Sequence, residues 1–484
     1  MMVSTFSAVV LAAAQSFSSM GPMPGEDRFQ SLQTATDGGA QGGVAAGLGF
    51  GGIGEDFFLQ LQLRSELNLG MVGFGFAVPL NMRVVDNDPQ NEDDYYGLIR
   101  EEDWDEPTDY LKVLRYVRLG HKRDLFYLRA GEIASELGHG TIMSRYLNNL
   151  DLDNFRLGLE FDVNTNYGGF ESVIGDIGTV ASDKAGSRLV GARGYVKPLA
   201  LVAPDSPFNI FAVGATVVTD MNAPRAFDTE LETDGSETPV LDADGNLAIA
   251  KDAAQTVYGV DVEAEVLHSA ILDIVPYTDL NFIDGGGWGL HVGTLFTAKM
   301  PIGLELTIPL RVEYRRFKSN YVPIYFGTFY EVERESFALG AADQVGNVPK
   351  SAVVRALPDD EGINGYYADL AFDFAGLVQF GAIYEDYEGG DPNVAAFVNV
   401  PALEVIQAKA YYTRTGVTDT ADIFKLDERS LAVAEARYQM MQFIYLVGRW
   451  TRRWVIETDT DSAKYGTYVS TDDYNVGIEA AFTF

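Results

Sequence analysis

Few side chains in this sequence could carry covalent or metal chemistry. There is no cysteine, which excludes thiol nucleophiles, disulfides and thiolate metal sites. Four histidines occur, His121, His139, His268 and His291. None stands in a His-Glu-x-x-His arrangement, and no Ser-His-carboxylate spacing stands out. The expectation is a chain that is not an enzyme and holds no cofactor. The run Gly47-Leu-Gly49-Phe-Gly-Gly52 matches a dinucleotide fingerprint letter for letter, but the fingerprint needs a helix to follow and the next residues alternate like a strand. Eleven acidic residues crowd 86–109 against the single Arg100, which reads as a solvated loop. Asp242-Ala-Asp244-Gly-Asn246 has part of a calcium-loop pattern, but its glycine is misplaced and the twelfth position is Ala253 instead of Glu. No metal site is expected at either. A net charge of −35 argues against nucleic acid as a partner, because phosphate binding needs clustered Lys and Arg.

The informative charges recur at every second position. Between Thr256 and Val266, Tyr258, Val260, Val262, Ala264 and Val266 share one parity, and Gly259, Asp261, Glu263 and Glu265 share the other. Phe57, Leu59, Leu61 and Leu63 oppose Gln60, Gln62, Arg64 and Glu66. The same split separates Leu157, Leu159 and Phe161 from Arg156, Glu160 and Asp162, and Ile308, Leu310, Val312 and Tyr314 from Arg311, Glu313 and Arg315. Period-two alternation marks β-strands. Three carboxylates on one strand face cannot line a dry core, since an unpaired buried charge costs several kcal/mol or more. One face needs water and the other lipid. A closed barrel supplies both and leaves no open edge in the bilayer.

Twenty segments show some alternation: 43–53, 56–68, 71–85, 110–120, 123–132, 154–163, 166–176, 187–197, 208–219, 254–266, 270–281, 287–298, 302–316, 363–374, 376–388, 393–400, 404–415, 428–438, 441–457 and 473–484. The pattern is faintest in 43–53 and 393–400, so the expected number is about 18, within 16–20. Short connections alternate with long ones such as 86–109, 133–153, 220–253 and 317–362. The fold class expected is therefore all-β, a transmembrane antiparallel up-and-down β-barrel with short periplasmic turns and long extracellular loops. Residues 1–14 read as a signal peptide, with an apolar run and Ala12-Ala13-Ala14 before the expected cut, although Met1 to Ser7 carries no Lys or Arg. Residues 15–42 read as a flexible tail and 43–484 as the barrel.

The last dozen residues place Tyr474, Val476, Ile478, Ala480, Phe482 and Phe484 on one parity and end on an aromatic. This stretch resembles the closing strand of bacterial outer-membrane β-barrels. The resemblance implies the bacterial outer membrane as location, with its lipid and lipopolysaccharide and the barrel assembly machinery as partners. The loop from Glu132 to Asp153, and less clearly Leu426-Asp-Glu-Arg429 and the strand Tyr438 to Trp454, resemble porin-like barrels of a delta-proteobacterial type whose function is not assigned.

In such a barrel the lumen-lining residues are expected to be Arg64, Arg129, Arg156, Glu160, Asp261, Glu263, Arg311, Arg315, Asp369, Asp373, Arg449 and Arg453. Opposed basic and acidic walls would order water and select solutes by charge; salt-bridged neighbours that only stiffen the wall are the alternative. The loop with Gly138-His139-Gly140, Arg145-Tyr146 and Asn148-Asn149 offers donors that could form a constriction if it folds inward; otherwise it is a surface loop. The segment 317–362 holds Tyr321, Tyr325, Phe326, Phe329 and Tyr330, a content suited to a partner, a sugar, an inward plug or a hairpin above the membrane. Two functions follow. One is a porin-like channel for small hydrophilic solutes. The other is a structural barrel with a plugged lumen in a multi-protein envelope complex for adhesion, secretion or surface motility.

Overall fold

A computed structural model describes residues 41–483 apart from short stretches, chiefly in the connections, of which the longest are 86–94, 336–347 and 457–467. The expected signal peptide and almost all of the expected tail lie outside the described residues. The described chain forms a closed barrel of 20 antiparallel strands. They are β1 (Gln41–Ile53), β2 (Asp56–Leu69), β3 (Val72–Val85), β4 (Leu114–Leu119), β5 (Phe126–Gly131), β6 (Gly158–Thr165), β7 (Gly168–Ile174), β8 (Leu189–Val196), β9 (Phe211–Phe227) and β10 (Ile249–Ala264). The second half comprises β11 (Leu272–Ile283), β12 (Trp288–Pro301), β13 (Glu305–Phe317), β14 (Ile363–Phe374), β15 (Val378–Tyr387), β16 (Asn393–Val400), β17 (Ile406–Arg414), β18 (Ser430–Met441), β19 (Ile444–Ile456) and β20 (Tyr468–Thr483).

Each strand pairs with its sequence neighbour, and β20 closes on β1 through pairs such as Leu48 with Ile478 and Phe50 with Val476. Twenty is the top of the expected 16–20, above the central value of about 18. The two faint segments are β1 and β16, and both are full members of the wall. Glycine and alanine blank the inner parity of β1 at Ala45, Gly47, Gly49 and Gly51, so no polar residue marks that side. In β16 an aromatic, Phe397, faces inward and is buried, which blurs the alternation.

Glycine on β1 also makes the closure possible. With no side chains in the way, Arg64 of β2 reaches across β1 to Glu479 of β20, and Asn475 of β20 donates to Gln60 of β2. A Cβ on Gly51 would lie 2.4 Å from the Tyr474 carbonyl oxygen, so this close approach admits no larger residue without a shift.

The faces are inverted relative to a water-soluble sheet. Tyr258, Val260 and Val262 are about half exposed on the outside, whereas Asp261, Asp279, Arg311, Glu313, Arg315 and Asp369 are buried inside. At one end the strands join through short turns, such as 70–71, 166–167 and 442–443, and β1 begins and β20 ends there. At the other end are the long connections 86–113, 132–157, 228–248 and 318–362. A closed, even-stranded antiparallel barrel with an apolar outer face and this turn asymmetry is the bacterial outer-membrane build.

Candidate functional site

The lumen is the one place where the charged parities of all strands converge, and two of the long connections enter it. The first, 132–157, leaves β5 and returns to β6. Asn148 pins its base: its Nδ2 donates to the carbonyls of Gly131 (3.2 Å), Arg156 (2.9 Å) and Gly175 (3.2 Å), and its Oδ1 accepts from the Ile133 N–H at 2.9 Å. Asn149 adds a reciprocal pair to the Arg156 backbone at 2.7 and 2.8 Å. The second connection, 318–362, leaves β13 and carries two short helices, Tyr330–Glu333 and Lys350–Ala356.

Inside the barrel the two connections pair with each other. Ile324 N–H donates to Thr141 O at 3.0 Å, Phe326 N–H to Ile142 O at 3.1 Å, and Ser144 N–H to Phe326 O at 3.3 Å. A parallel bridge joins Met143 and Phe326. Arg145 and Ile324, at the edges of this ladder, both take a positive φ, 51° and 50°. For a β-branched residue such as Ile324 that conformation is strained.

Around the ladder lies an apolar cluster. Ile133, Leu137, Ile142, Met143 and Tyr146 of the first connection pack with Tyr321, Val322, Tyr325, Phe326 and Tyr330 of the second. Val173, Leu189, Val218, Val257, Ile283 and Phe317 contribute from the inner faces of β7 to β13. Val173, Leu189, Ile283 and Phe317 stand at or next to the long-loop ends of their strands, and Val218 and Val257 pair at the level of Ile283, so the cluster caps the lumen on that side. The part of that segment around Tyr321 to Tyr330, expected as a plug or a hairpin above the membrane, is thus packed inside; Phe329, 336–347 and 358–361 lie outside the described residues.

Charge-assisted bonds tie the cluster to the wall. His139 lies between two carboxylates, Nδ1 2.8 Å from Asp279 and Nε2 2.8 Å from Glu263, and its ring stacks on Tyr277 with centroids 4.1 Å apart. The flanking glycines adopt φ of +58° and +71°, the left-handed turn that presents the imidazole to the wall. Thr141 donates to Asp279 at 2.6 Å. Arg145 pairs with Asp369 on β14. Tyr146 donates to Glu331 of the second connection, which also accepts from Ser187 at 2.7 Å and has the Arg156 Nε 3.6 Å away. Tyr330 and Arg334 both reach Asp220 on β9, at 2.7 and 3.2 Å.

The remaining expected residues form ion pairs and hydrogen bonds along the wall. Arg311 and Arg315 flank Glu313, donating through Nε at 2.6 and 2.5 Å, and both guanidiniums lie over Tyr367 at 5.0 and 4.1 Å. Asp261 receives Arg193 at 2.7 and 3.2 Å. Glu160 accepts from Ser135 at 2.7 Å and Tyr127 at 3.0 Å. Arg129 donates to the Glu132 carbonyl at 2.7 Å. Asp373 accepts from Gln379 at 3.3 Å, and Arg449 pairs with Glu435 at 2.5 Å. The Arg453 side chain, most of the acidic loop 86–109 and residues 242–246 lie outside the described residues.

The structure therefore brings His139, Arg145, Tyr146 and Arg156 into one network with Glu263 and Asp369, and leaves Arg64 and Arg449 on the far wall of β18 to β20 and β2. Missing from the expected set are Asp220, Asp279, Glu331 and Arg334. Asp279 was findable, since it alternates with Leu280 and Phe282 on one strand. Asp220 falls just past the expected end of its strand, and Glu331 and Arg334 sit in a segment with no period.

No protein-family model matches the chain, and comparison with curated proteins gives no match. Among solved structures it is similar to the copper transporter OprC, at 10% identity and TM-score 0.38, over 92% of this chain and 80% of that one. It is also similar to the siderophore receptor PirA from Acinetobacter baumannii, at 11% identity and TM-score 0.35, over 92% and 80%. A third is OccK5 (OpdH) of Pseudomonas aeruginosa, at 11% identity and TM-score 0.32, over 92% and 98%.

Proposed function

We propose that the chain is an outer-membrane channel for small hydrophilic solutes, narrowed by its two infolded connections. The observation that carries this reading is the make-up of the lumen. Below the apolar cluster its wall carries charged and amide side chains, and the packed connections are tied by hydrogen bonds and ion pairs to strands between β4 and β14, with Tyr387 of β15 against their cluster. The wall formed by β15 to β20 and β1 to β3 presents Gln60, Gln62, Asn399, Glu435, Arg449 and Asn475. Polar side chains lining the inner face of a barrel of this size suit a hydrated path. In that path His139, Arg145, Tyr146, Asn148 and Asn149 belong to the constriction, and the ion pairs of Arg311, Arg315 and Asp369, with the carboxylate of Asp373, set the local field.

Liposome swelling tests it. Vesicles containing the folded barrel should admit monosaccharides and amino acids, with rates that fall steeply as solute size increases. Complete impermeability of correctly folded protein would contradict the channel.

The second reading, a structural barrel in an envelope complex, draws on the apolar cluster, which is packed as a protein core is. On that reading the vesicles stay sealed, and the chain co-purifies with other envelope proteins from native membranes.

A further inference from the structure

Both connections attach to the same patch of wall. His139 binds Asp279 and Glu263, and Thr141 binds Asp279 and accepts from Asn281 Nδ2 at 3.0 Å. Tyr321 of the other connection accepts from the same Asn281 nitrogen at 3.3 Å and lies 3.1 Å from His291 Nε2. His291 in turn contacts Glu313 at 3.3 Å, and Glu313 accepts from Tyr277 at 2.5 Å, the residue stacked on His139. The network is a ring, and it includes both connections.

We propose that the two connections move as one plug, latched to the barrel by doubly protonated His139, and that loss of one ring proton releases it. This rests on the reading of the lumen as a gated path. The argument is one of donors. An imidazolium donates from both nitrogens and can serve two carboxylates at once; a neutral ring has a single N–H and can serve only one. Deprotonation therefore breaks one tie and leaves a carboxylate facing a ring lone pair. Glu263 is the partner to let go, being the more exposed and not held by Thr141 as Asp279 is. Movement of residues 139–144 then carries 324–326 along, because the backbone ladder joins them. The strained φ at Arg145 and Ile324 favours release.

The groups around His139 decide the charge. Asp279 and Tyr277 face it from β11, Glu263 and Asp261 from β10, and Glu313 from β13. Glu171 of β7 accepts from the Gly138 N–H at 3.0 Å, and Glu136 lies beside Gly140. Opposing them, Arg193 of β8 packs on Gly138 and Arg311 of β13 on Gly140, each already paired with a carboxylate. Burial alone would lower the pKa of His139, but the hydrogen bonds and charges of Asp279 and Glu263 outweigh it and hold it up to about 9. A folded value raised above the free value of 6.5 gives a latch that is fully present below pH 6.5 and lost as the pH rises through about 9.

Hydrogen–deuterium exchange of the folded barrel in vesicles, corrected for the intrinsic rate, tests this. Between pH 6.5 and just above 9, residues 133–147 and 320–334 should lose protection together, by on the order of 100-fold. Strands β1 to β3 and β15 to β20 should not change. His139→Gln should reproduce the loosened state at pH 6.5 and flatten the pH profile. Glu263→Gln, which leaves the Asp279 tie intact, should give an intermediate loss, and it serves if His139→Gln fails to fold. Unchanged protection, loss in one connection only, or loss in step with the whole barrel would overturn the latch. Current recorded in parallel separates the two readings: a plug that loosens without a rise in current refutes the channel and leaves the latch standing.

Discussion

Replacing Glu313 with alanine should destabilise the folded barrel by about 3–5 kcal/mol, the cost of stripping a buried pair of its partner. Glu313 is buried between Arg311 and Arg315, both fully buried, and accepts from each of them and from Tyr277. Without it Arg311 keeps no carboxylate among its described hydrogen-bond partners, and Arg315 keeps Tyr387 and a Glu385 oxygen at 3.5 Å. Two guanidiniums would be left in an enclosed space with one distant anion. Glu313→Gln should cost less, since the amide oxygen still accepts one bond. Equilibrium unfolding in urea, with the barrel in lipid vesicles, measures both. Asp284→Ala provides the contrast: its ion pair with Arg355 at 2.6 Å is exposed on both sides, and such pairs contribute roughly 0–1 kcal/mol. Equal losses for Glu313→Ala and Asp284→Ala would mean that the lumen is far wetter than the packing implies.

Val262→Arg should cost about 2–4 kcal/mol near the middle of the bilayer, and close to nothing if that position lies at an interface. Val262 is 46% exposed on the outer face of β10, between Val213 of β9 and Thr278 of β11. The outward residues on either side of it, Val260 and Ala264, are both apolar, and Val260 is half exposed like Val262 itself, as a lipid-facing row requires. A neighbouring change on the opposite parity, Glu263→Ala, removes a carboxylate from the lumen and should disturb only the plug. Cold gel mobility of the folded form and the urea midpoint report the difference. Similar midpoints for the two variants would reverse the assignment of faces.

The fold was written in the sequence because a barrel wall needs only a period of two. Asp261 beside Val262, or Arg311 beside Val312, states which side meets water regardless of what lies across the lumen. The rule failed where side chains were missing or mixed. Gly47, Gly49 and Gly51 hide the inner face of β1, and inward Phe397 disguises β16, so eighteen strands stood in for twenty. The candidate site was half legible. Gly138-His139-Gly140 and Arg145-Tyr146 stood out as a donor-bearing loop, and the parity of Glu263 and Asp369 pointed inward. That His139 meets Asp279, 140 residues away, and that Arg145 meets Asp369, 224 residues away, depends on barrel closure and on how far a loop descends. No local period records either. Aromatic Tyr321, Tyr325 and Tyr330 were visible as unusual, but burial and exposure on a loop look alike until the partners are placed.

Single-channel recording in planar bilayers reaches the centre of this account. Arg145→Ala combined with Arg334→Ala removes the plug's ion pairs with Asp369 and Asp220, leaving the Tyr330 hydrogen bond on Asp220, and changes no residue of the barrel wall. Native protein should pass small, steady currents, and the double variant should pass clearly larger ones. Silence from both proteins, once correctly folded, or the same current from both, would show that these two connections do not control a path through the barrel.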